Sequence, residues 1–112
     1  MSKQKICSTE DLVKNSGVCA LATVDGEDQQ IAIFHIPDTE QKVFAVSNWD
    51  PLGNANVLSR GVIGNIGDEL VVASPLYKQH FSLTSGKCLQ DENVSVNVYP
   101  VVLEDDGVYL AA

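Results

Sequence analysis

The fold class is decided by the stretch Val71-Val72-Ala73-Ser74-Pro75-Leu76-Tyr77-Lys78-Gln79-His80-Phe81-Ser82-Leu83. Two short apolar runs lie on either side of a polar turn that contains a proline. Runs of this length, rich in β-branched and aromatic residues and bounded by turn residues, are typical of strands rather than helices. The stretch therefore predicts two strands joined by a loop.

The same pattern continues in both directions along the chain. Turn signals such as Asp25-Gly26 and Asp106-Gly107 separate short apolar segments, which predicts an all-β fold of antiparallel strands with little helix. Strands are predicted over residues 18–24, 30–36, 43–47, 70–73, 80–83, 94–102 and 107–111. A helix start is predicted only over residues 8–15, where Ser8 is an N-cap candidate and Asp11 approximates a capping box.

Two of these segments carry a clear period of two. In residues 30–36, Ile31 and Ile33 share one face with His35, and the apolar residues between them form the other face, so this strand is expected to be covered on both sides. Valines at 94, 96 and 98 alternate with polar residues and Tyr99, which predicts a strand with one buried face.

Length and composition limit the classes of protein that remain. The 112 residues fit one domain, residues 1–112, and 45% apolar residues are typical of a globular chain. No apolar run approaches the roughly 20 residues of a membrane span, and no signal-peptide core follows Met1, so we expect a cytoplasmic protein. A net charge of −8 without a basic stripe argues against nucleic acid and anionic membranes as partners.

An irregular stretch over residues 48–69 interrupts the predicted strands. It contains four glycines and four asparagines, and loops this long in compact domains are usually functional. The three cysteines form no CxxC pair, so neither a disulfide framework nor a zinc site is indicated. Cys19 is expected to pack in the core, whereas Cys7 and Cys88 lie in more polar segments.

Residues 44–61 and 71–86 together resemble the two cluster-binding loops of Rieske-type iron–sulfur domains. In that family a CPH-like loop precedes a leucine-serine-glycine stretch, and a CPxH loop runs into a strand with phenylalanine, leucine and glycine. The resemblance covers nearly the whole chain and implies a Rieske-like antiparallel β-sandwich with a loop subdomain at about 48–81. The matching framework residues are Pro51, Leu58, Ser59, Gly61, Pro75, Phe81, Leu83 and Gly86.

The four ligand positions of this pattern are all changed. Where the family has two cysteines and two histidines, this chain has Asp50, Leu52, Ser74 and Tyr77. A Rieske cluster needs two thiolates and two imidazoles. The sequence therefore predicts no metal ligands and no cofactor in this chain.

A Rieske-like framework that has lost all four cluster ligands is similar to the small subunits of assimilatory NAD(P)H nitrite reductases, the NirD type. The resemblance rests on residues 45–51, 57–61 and 72–81. It implies a large subunit that carries FAD, an iron–sulfur cluster and sirohaem and reduces nitrite to ammonium with NAD(P)H. For this chain it implies a cofactorless subunit, without catalytic residues, that binds and supports the large subunit.

Apolar and aromatic residues at the loop tips are the partner-binding candidates. Leu52 and Tyr77 are expected to fill the space of the missing cluster, and Trp49, Leu76 and Tyr77 to anchor the large subunit, because Trp and Tyr dominate interface energies. Three alternatives stay open at this point. They are an electron-transfer ferredoxin with atypical ligands, a stand-alone binding module, and a mononuclear metal site with Asp50 and His80.

Overall fold

The protein is seen in a computed structural model, which describes residues 4–76 and 78–111. Two 3-10 turns, Thr9–Asp11 and Leu58–Arg60, are the helical elements of this part of the chain, which confirms an all-β fold with little helix. None of its helical segments is long and apolar enough to cross a membrane. The strands are β1 (Gln4–Ser8), β2 (Ser16–Val24), β3 (Glu27–His35), β4 (Val43–Ser47), β5 (Trp49–Asp50), β6 (Ala55–Asn56), β7 (Val62–Ile66), β8 (Glu69–Ala73), β9 (His80–Ser82), β10 (Val98–Tyr99), β11 (Val101–Glu104) and β12 (Gly107–Leu110).

The strands form three larger antiparallel sheets and one short hairpin. A central sheet has the order β10-β4-β3-β2, and a terminal sheet with the order β1-β12-β11 brings the two ends of the described chain together. The third sheet, β7-β8-β9, carries the loop of the stretch quoted first, and β5 pairs with β6 between the central and third sheets along the chain.

The central sheet separates two hydrophobic cores, because β3 is covered on both faces. Ile31 and Ile33 lie in the core shared with the terminal sheet. Ala32 and Phe34 lie in the second core, together with Leu58 and Phe81 from the loop side of the molecule. The prediction that this strand is buried on both sides is confirmed, and the second core is the support of the loops.

The prediction of a helix over residues 8–15 is wrong in its length. Its start is confirmed, since the backbone N–H of Ser8 donates to the Asp11 carboxylate at 3.1 Å, but one 3-10 turn is all that forms. Asn15 already has a positive φ of 57° and its N–H donates to the carbonyl of His35 at 2.7 Å. Pairing with the central sheet therefore replaces the helix.

The continuous strand predicted over residues 94–102 is also wrong. Only Val98–Tyr99 and Val101–Glu104 are strands, and Val98 is 37% exposed rather than buried. Before Val98 the backbone divides its hydrogen bonds: Val96 donates to the carbonyl of Gly86, and the carbonyl of Asn97 accepts from Ser47. The segment crosses from the third sheet to the central sheet, so no continuous ladder forms.

The stretch 48–69 is less irregular than its sequence indicates. Its second half contains β7, which pairs with β8 through a tight turn at Gly67 and Asp68, with Gly67 at a φ of +61°. Val62 and Ile66 are exposed on this edge strand, and Gly64 lies between them. A strand with an exposed apolar face and a central glycine lacks the alternation that reveals strands in a sequence.

Candidate functional site

Two loops meet at one end of the molecule, and we call them loop 1 (residues 48–61) and loop 2 (residues 74–79). Loop 1 leaves the central sheet after β4 and enters the third sheet at β7, whereas loop 2 joins β8 to β9. A side chain at Gly53 would overlap Leu76, and one at Gly61 would overlap the carbonyl of Ala73. The two loops are therefore in direct contact at their tips and at their bases.

A buried hydrogen bond joins the loops at the two positions that resemble the cluster cysteines. The Ser74 hydroxyl donates to Oδ2 of Asp50, and both residues are 1% exposed. The other carboxylate oxygen, Oδ1, accepts the backbone N–H groups of Leu52 at 2.9 Å and Gly53 at 3.1 Å. Asp50 thus fixes the turn of its own loop and holds loop 2 against it.

These residues do not fit a [2Fe-2S] cluster. Both oxygens of Asp50 accept hydrogen bonds from the protein, and the Ser74 hydroxyl donates to Asp50. Leu52 offers no lone pair and is half-buried against the second core. Rieske iron requires thiolate and imidazole ligands, so a carboxylate, a hydroxyl and a leucine are the wrong donor set.

Large apolar side chains are exposed on both loops. Trp49 is 42% exposed and Leu76 is 46% exposed. Trp49 borders a hollow of about 140 Å³ together with Pro51 and Asn97. Leu52 is half-buried and packs against the second core, whereas Tyr77 lies outside the described residues.

Sequence reasoning missed the role of Asn48, which is 2% exposed and anchors the base of loop 1. Its side-chain oxygen accepts the N–H of Ser59 at 2.7 Å, and its side-chain nitrogen donates to Gln30 at 3.2 Å. Its backbone carbonyl accepts from Leu58 at 3.1 Å. The only sequence signal was a polar residue directly after a buried strand, which many loops share.

Cys19 contacts this anchor, contrary to the expectation that it packs in the core. It is exposed, and its sulfur lies 3.5 Å from the Asn48 amide nitrogen, whereas Cys88 is the buried cysteine. Successive residues of β2 face opposite sides of the sheet, so Cys19 shares the exposed face with Leu21, whereas Ala20 between them is buried. Partial burial raises the pKa of the Cys19 thiol above its ordinary value.

The remaining candidates from the sequence are not assembled into a metal site. His80 lies with Nδ1 3.1 Å from the side-chain nitrogen of Gln90. In residues 4–76 and 78–111, no group of three histidine, cysteine, aspartate or glutamate side chains is placed to hold a metal ion. The Ser74 oxygen also accepts the Leu76 N–H at 3.3 Å and so fixes the first turn of loop 2.

We expect Gly61→Ala to destabilise the fold by about 1.5 kcal/mol, the usual cost of overpacking. The new methyl group would meet the backbone carbonyl of Ala73 and a methyl group of Val72, so the third sheet must shift. Urea unfolding measures the change. Gly64→Ala is the matched control, because a side chain there meets open space; equal losses in both variants would contradict close packing of the loop bases.

Comparisons with known proteins agree with this geometry. The family model of the Rieske-like [2Fe-2S] domain matches residues 3–111. The nitrite reductase (NADH) small subunit of Salmonella typhimurium is 48% identical over 107 residues, which are 96% of this chain and 94% of that protein. The NMR structure of Escherichia coli NirD has a TM-score of 0.80 and 41% identity, covering 97% of this chain and 94% of that one.

A third relative has a different chain organisation. The nitrite reductase [NAD(P)H] large subunit of Klebsiella oxytoca is 37% identical over 107 residues, which are 96% of this chain but 10% of the large subunit. The resemblance seen in the loop residues is therefore confirmed over nearly the whole chain. This chain belongs to the Rieske-like domain family, in the branch formed by the small subunits of nitrite reductase.

Proposed function

We propose that this chain is the small subunit of an NAD(P)H-dependent nitrite reductase and that it acts by binding the large subunit. Its full-length similarity to nitrite reductase small subunits supports the assignment. The observation that carries the binding role is the loop pair itself: a cluster scaffold held by Asp50 and Ser74, with Trp49 and Leu76 exposed beside them.

The Klebsiella relative supports a physical association between the two subunits. There the same domain occupies about a tenth of a large-subunit chain. A covalent link keeps two modules at high effective concentration, whereas separate chains must associate through a specific interface. A separate small subunit therefore needs a docking surface of its own.

The docking surface in this proposal consists of Trp49, Leu52, Leu76 and Tyr77. Trp49 and Leu76 are the half-exposed members, and a large side chain that a rigid backbone holds, above all a tryptophan, is typical of an interface anchor. Leu52 packs on the second core and so supports loop 1. The hydrogen bond between Asp50 and Ser74 fixes the two loops relative to each other.

The donor set of the loops supports a division of chemistry between the subunits in which this chain holds no cluster. We assign no cofactor and no catalytic residue to this chain, and we place FAD, the iron–sulfur cluster, sirohaem and the NAD(P)H site on the large subunit. By binding only the folded form of its partner, the small subunit would stabilise it by mass action. In the same proposal residues 1–112 form one domain, which works in the cytoplasm.

Co-expression of the two subunits tests this function. We expect the large subunit to co-purify with this chain and nitrite-dependent NADH oxidation to be higher in the complex than in the large subunit alone. Iron analysis of the separately purified small subunit should find no stoichiometric iron. Failure to form a complex, together with unchanged activity, would contradict the proposal, and stoichiometric iron would favour the electron-transfer alternative.

A further inference from the structure

The charge of this chain is distributed unevenly between residues 48–90, which include both loops, and the rest of the chain. Residues 48–90 contain three acidic and three basic residues, so their net charge is zero. The other residues contain twelve acidic and four basic residues, so they carry the whole net charge of −8. The net negative charge is therefore carried by residues outside the segment 48–90.

The exposed charge on the loops themselves is positive. Loops 1 and 2 contain three residues with a formal charge, Asp50, Arg60 and Lys78. Asp50 is 1% exposed and accepts three hydrogen bonds inside the protein. Arg60 and Lys78 are both exposed, so the solvent-facing charge of the loops amounts to two cations.

Neither cation is neutralised within the described part of the chain. No described acidic group forms an ion pair with the Arg60 guanidinium or the Lys78 ammonium. An ion pair that the described residues do form, Lys5 with Asp106, joins β1 to the turn between β11 and β12. Arg60 ends the 3-10 turn of loop 1, next to Gly61, and Lys78 follows the tip of loop 2. Each of the two loops thus carries one unpaired cation on an otherwise acidic protein.

We propose that the two-loop end binds a surface of the large subunit that is apolar at its centre and acidic at its rim, with Arg60 and Lys78 as the rim contacts. This inference rests on the proposed docking function and adds the chemistry of the partner surface. Rim charges set encounter rate and orientation more than final affinity. An acidic partner would attract the two exposed cations of the loops and repel the acidic residues elsewhere in the chain, so the charge distribution favours docking through the two loops.

Charge reversal of the two cations tests the inference. Arg60→Glu and Lys78→Glu are each expected to weaken binding to the large subunit about fivefold at low ionic strength. Each removes a proposed ion pair with the acidic rim of the partner and replaces it by a repulsion. The loss should appear mainly in the association rate measured by surface plasmon resonance. Raising the salt to roughly 0.5 M should weaken wild-type binding and reduce the difference.

Two matched reversals serve as controls. Lys42→Glu has the same charge change at nearly the same backbone conformation, since φ is +66° at Lys42 and +61° at Lys78. Lys14→Glu matches Arg60→Glu as an exposed cation outside the loops. Effects below about twofold in the controls support the proposal.

The outcomes separate this inference from the function on which it rests. Equal losses in the loop and control variants would overturn it, because repulsion would then follow net charge rather than position. Full affinity in both loop variants would also overturn it, while binding by wild type would leave the docking function intact. Absence of binding by wild type would instead overturn the proposed function.

Discussion

Trp49→Ala is expected to lower the affinity for the large subunit about thirtyfold, which corresponds to roughly 2 kcal/mol. Trp49 is 42% exposed on loop 1, beside the hollow that it forms with Pro51 and Asn97. Such a side chain gains buried apolar area on docking and loses little conformational entropy, because the loop already holds it. Isothermal titration calorimetry with the purified subunits measures the change.

Leucine truncations provide the matched control for this result. Leu76→Ala on loop 2 should also weaken binding, whereas Leu21→Ala should not, although Leu21 is 66% exposed on β2. Urea unfolding of each variant checks that the fold is unchanged. Equal affinity of Trp49→Ala, Leu76→Ala and wild type would place the interface elsewhere and contradict the assignment of the two-loop end.

Asp50→Ala is expected to reduce the free energy of unfolding by about 3 kcal/mol, since hydrogen bonds to a buried carboxylate are strong and their donors would be left unsatisfied. The Ser74 hydroxyl and the N–H groups of Leu52 and Gly53 would all lose their acceptor. For a domain of this size the thermal midpoint should fall by roughly 12–20 °C. Calorimetric melting measures the shift.

The coupling between the two loops is measured by a double-mutant cycle. Asp50→Ala, Ser74→Ala and the double variant should show an interaction energy of about 1–2 kcal/mol, because the two side chains bond directly. Asp38→Ala and Ser95→Ala, at exposed positions, should change stability little. Additive effects of Asp50→Ala and Ser74→Ala would show that their hydrogen bond does not hold the loops together.

The parts of the fold that sequence predicted well are those in which burial is repeated along a strand. Residues 30–36 are apolar on both faces, and the structure places a separate core on each. The prolines and glycines of the loops identified the Rieske-like scaffold. Tight packing leaves little choice of residue type at positions such as Gly61, where a side chain would overlap the neighbouring strand.

The predictions failed where long-range pairing decides the local structure. Val94 and Val96 have strand-like alternation, yet their backbone bonds go to the segment 86–88, whereas Asn97 already bonds Ser47 of the central sheet, so no continuous ladder forms. The Asn48 anchor depends on Gln30 and Ser59, which are distant in sequence. Propensity and periodicity describe local preferences, and tertiary contacts override them at such positions.

The candidate site was foreseen only in part for the same reason. Replacement of the cluster ligands was visible in the sequence, but the bond between Asp50 and Ser74 was not, because two residues 24 positions apart give no local signal of contact. The charge of the loops required the structure as well, since burial of Asp50 is what leaves Arg60 and Lys78 as the exposed charges.

A titration of the iron-free small subunit into the purified large subunit, followed by calorimetry, shows whether binding depends on a cluster in this chain. A chain that acts through its loop surfaces, without a cluster, should bind to saturation after treatment with an iron chelator and with unchanged affinity. Binding that disappears on chelation and returns when iron and sulfide are restored to the small subunit would contradict this account.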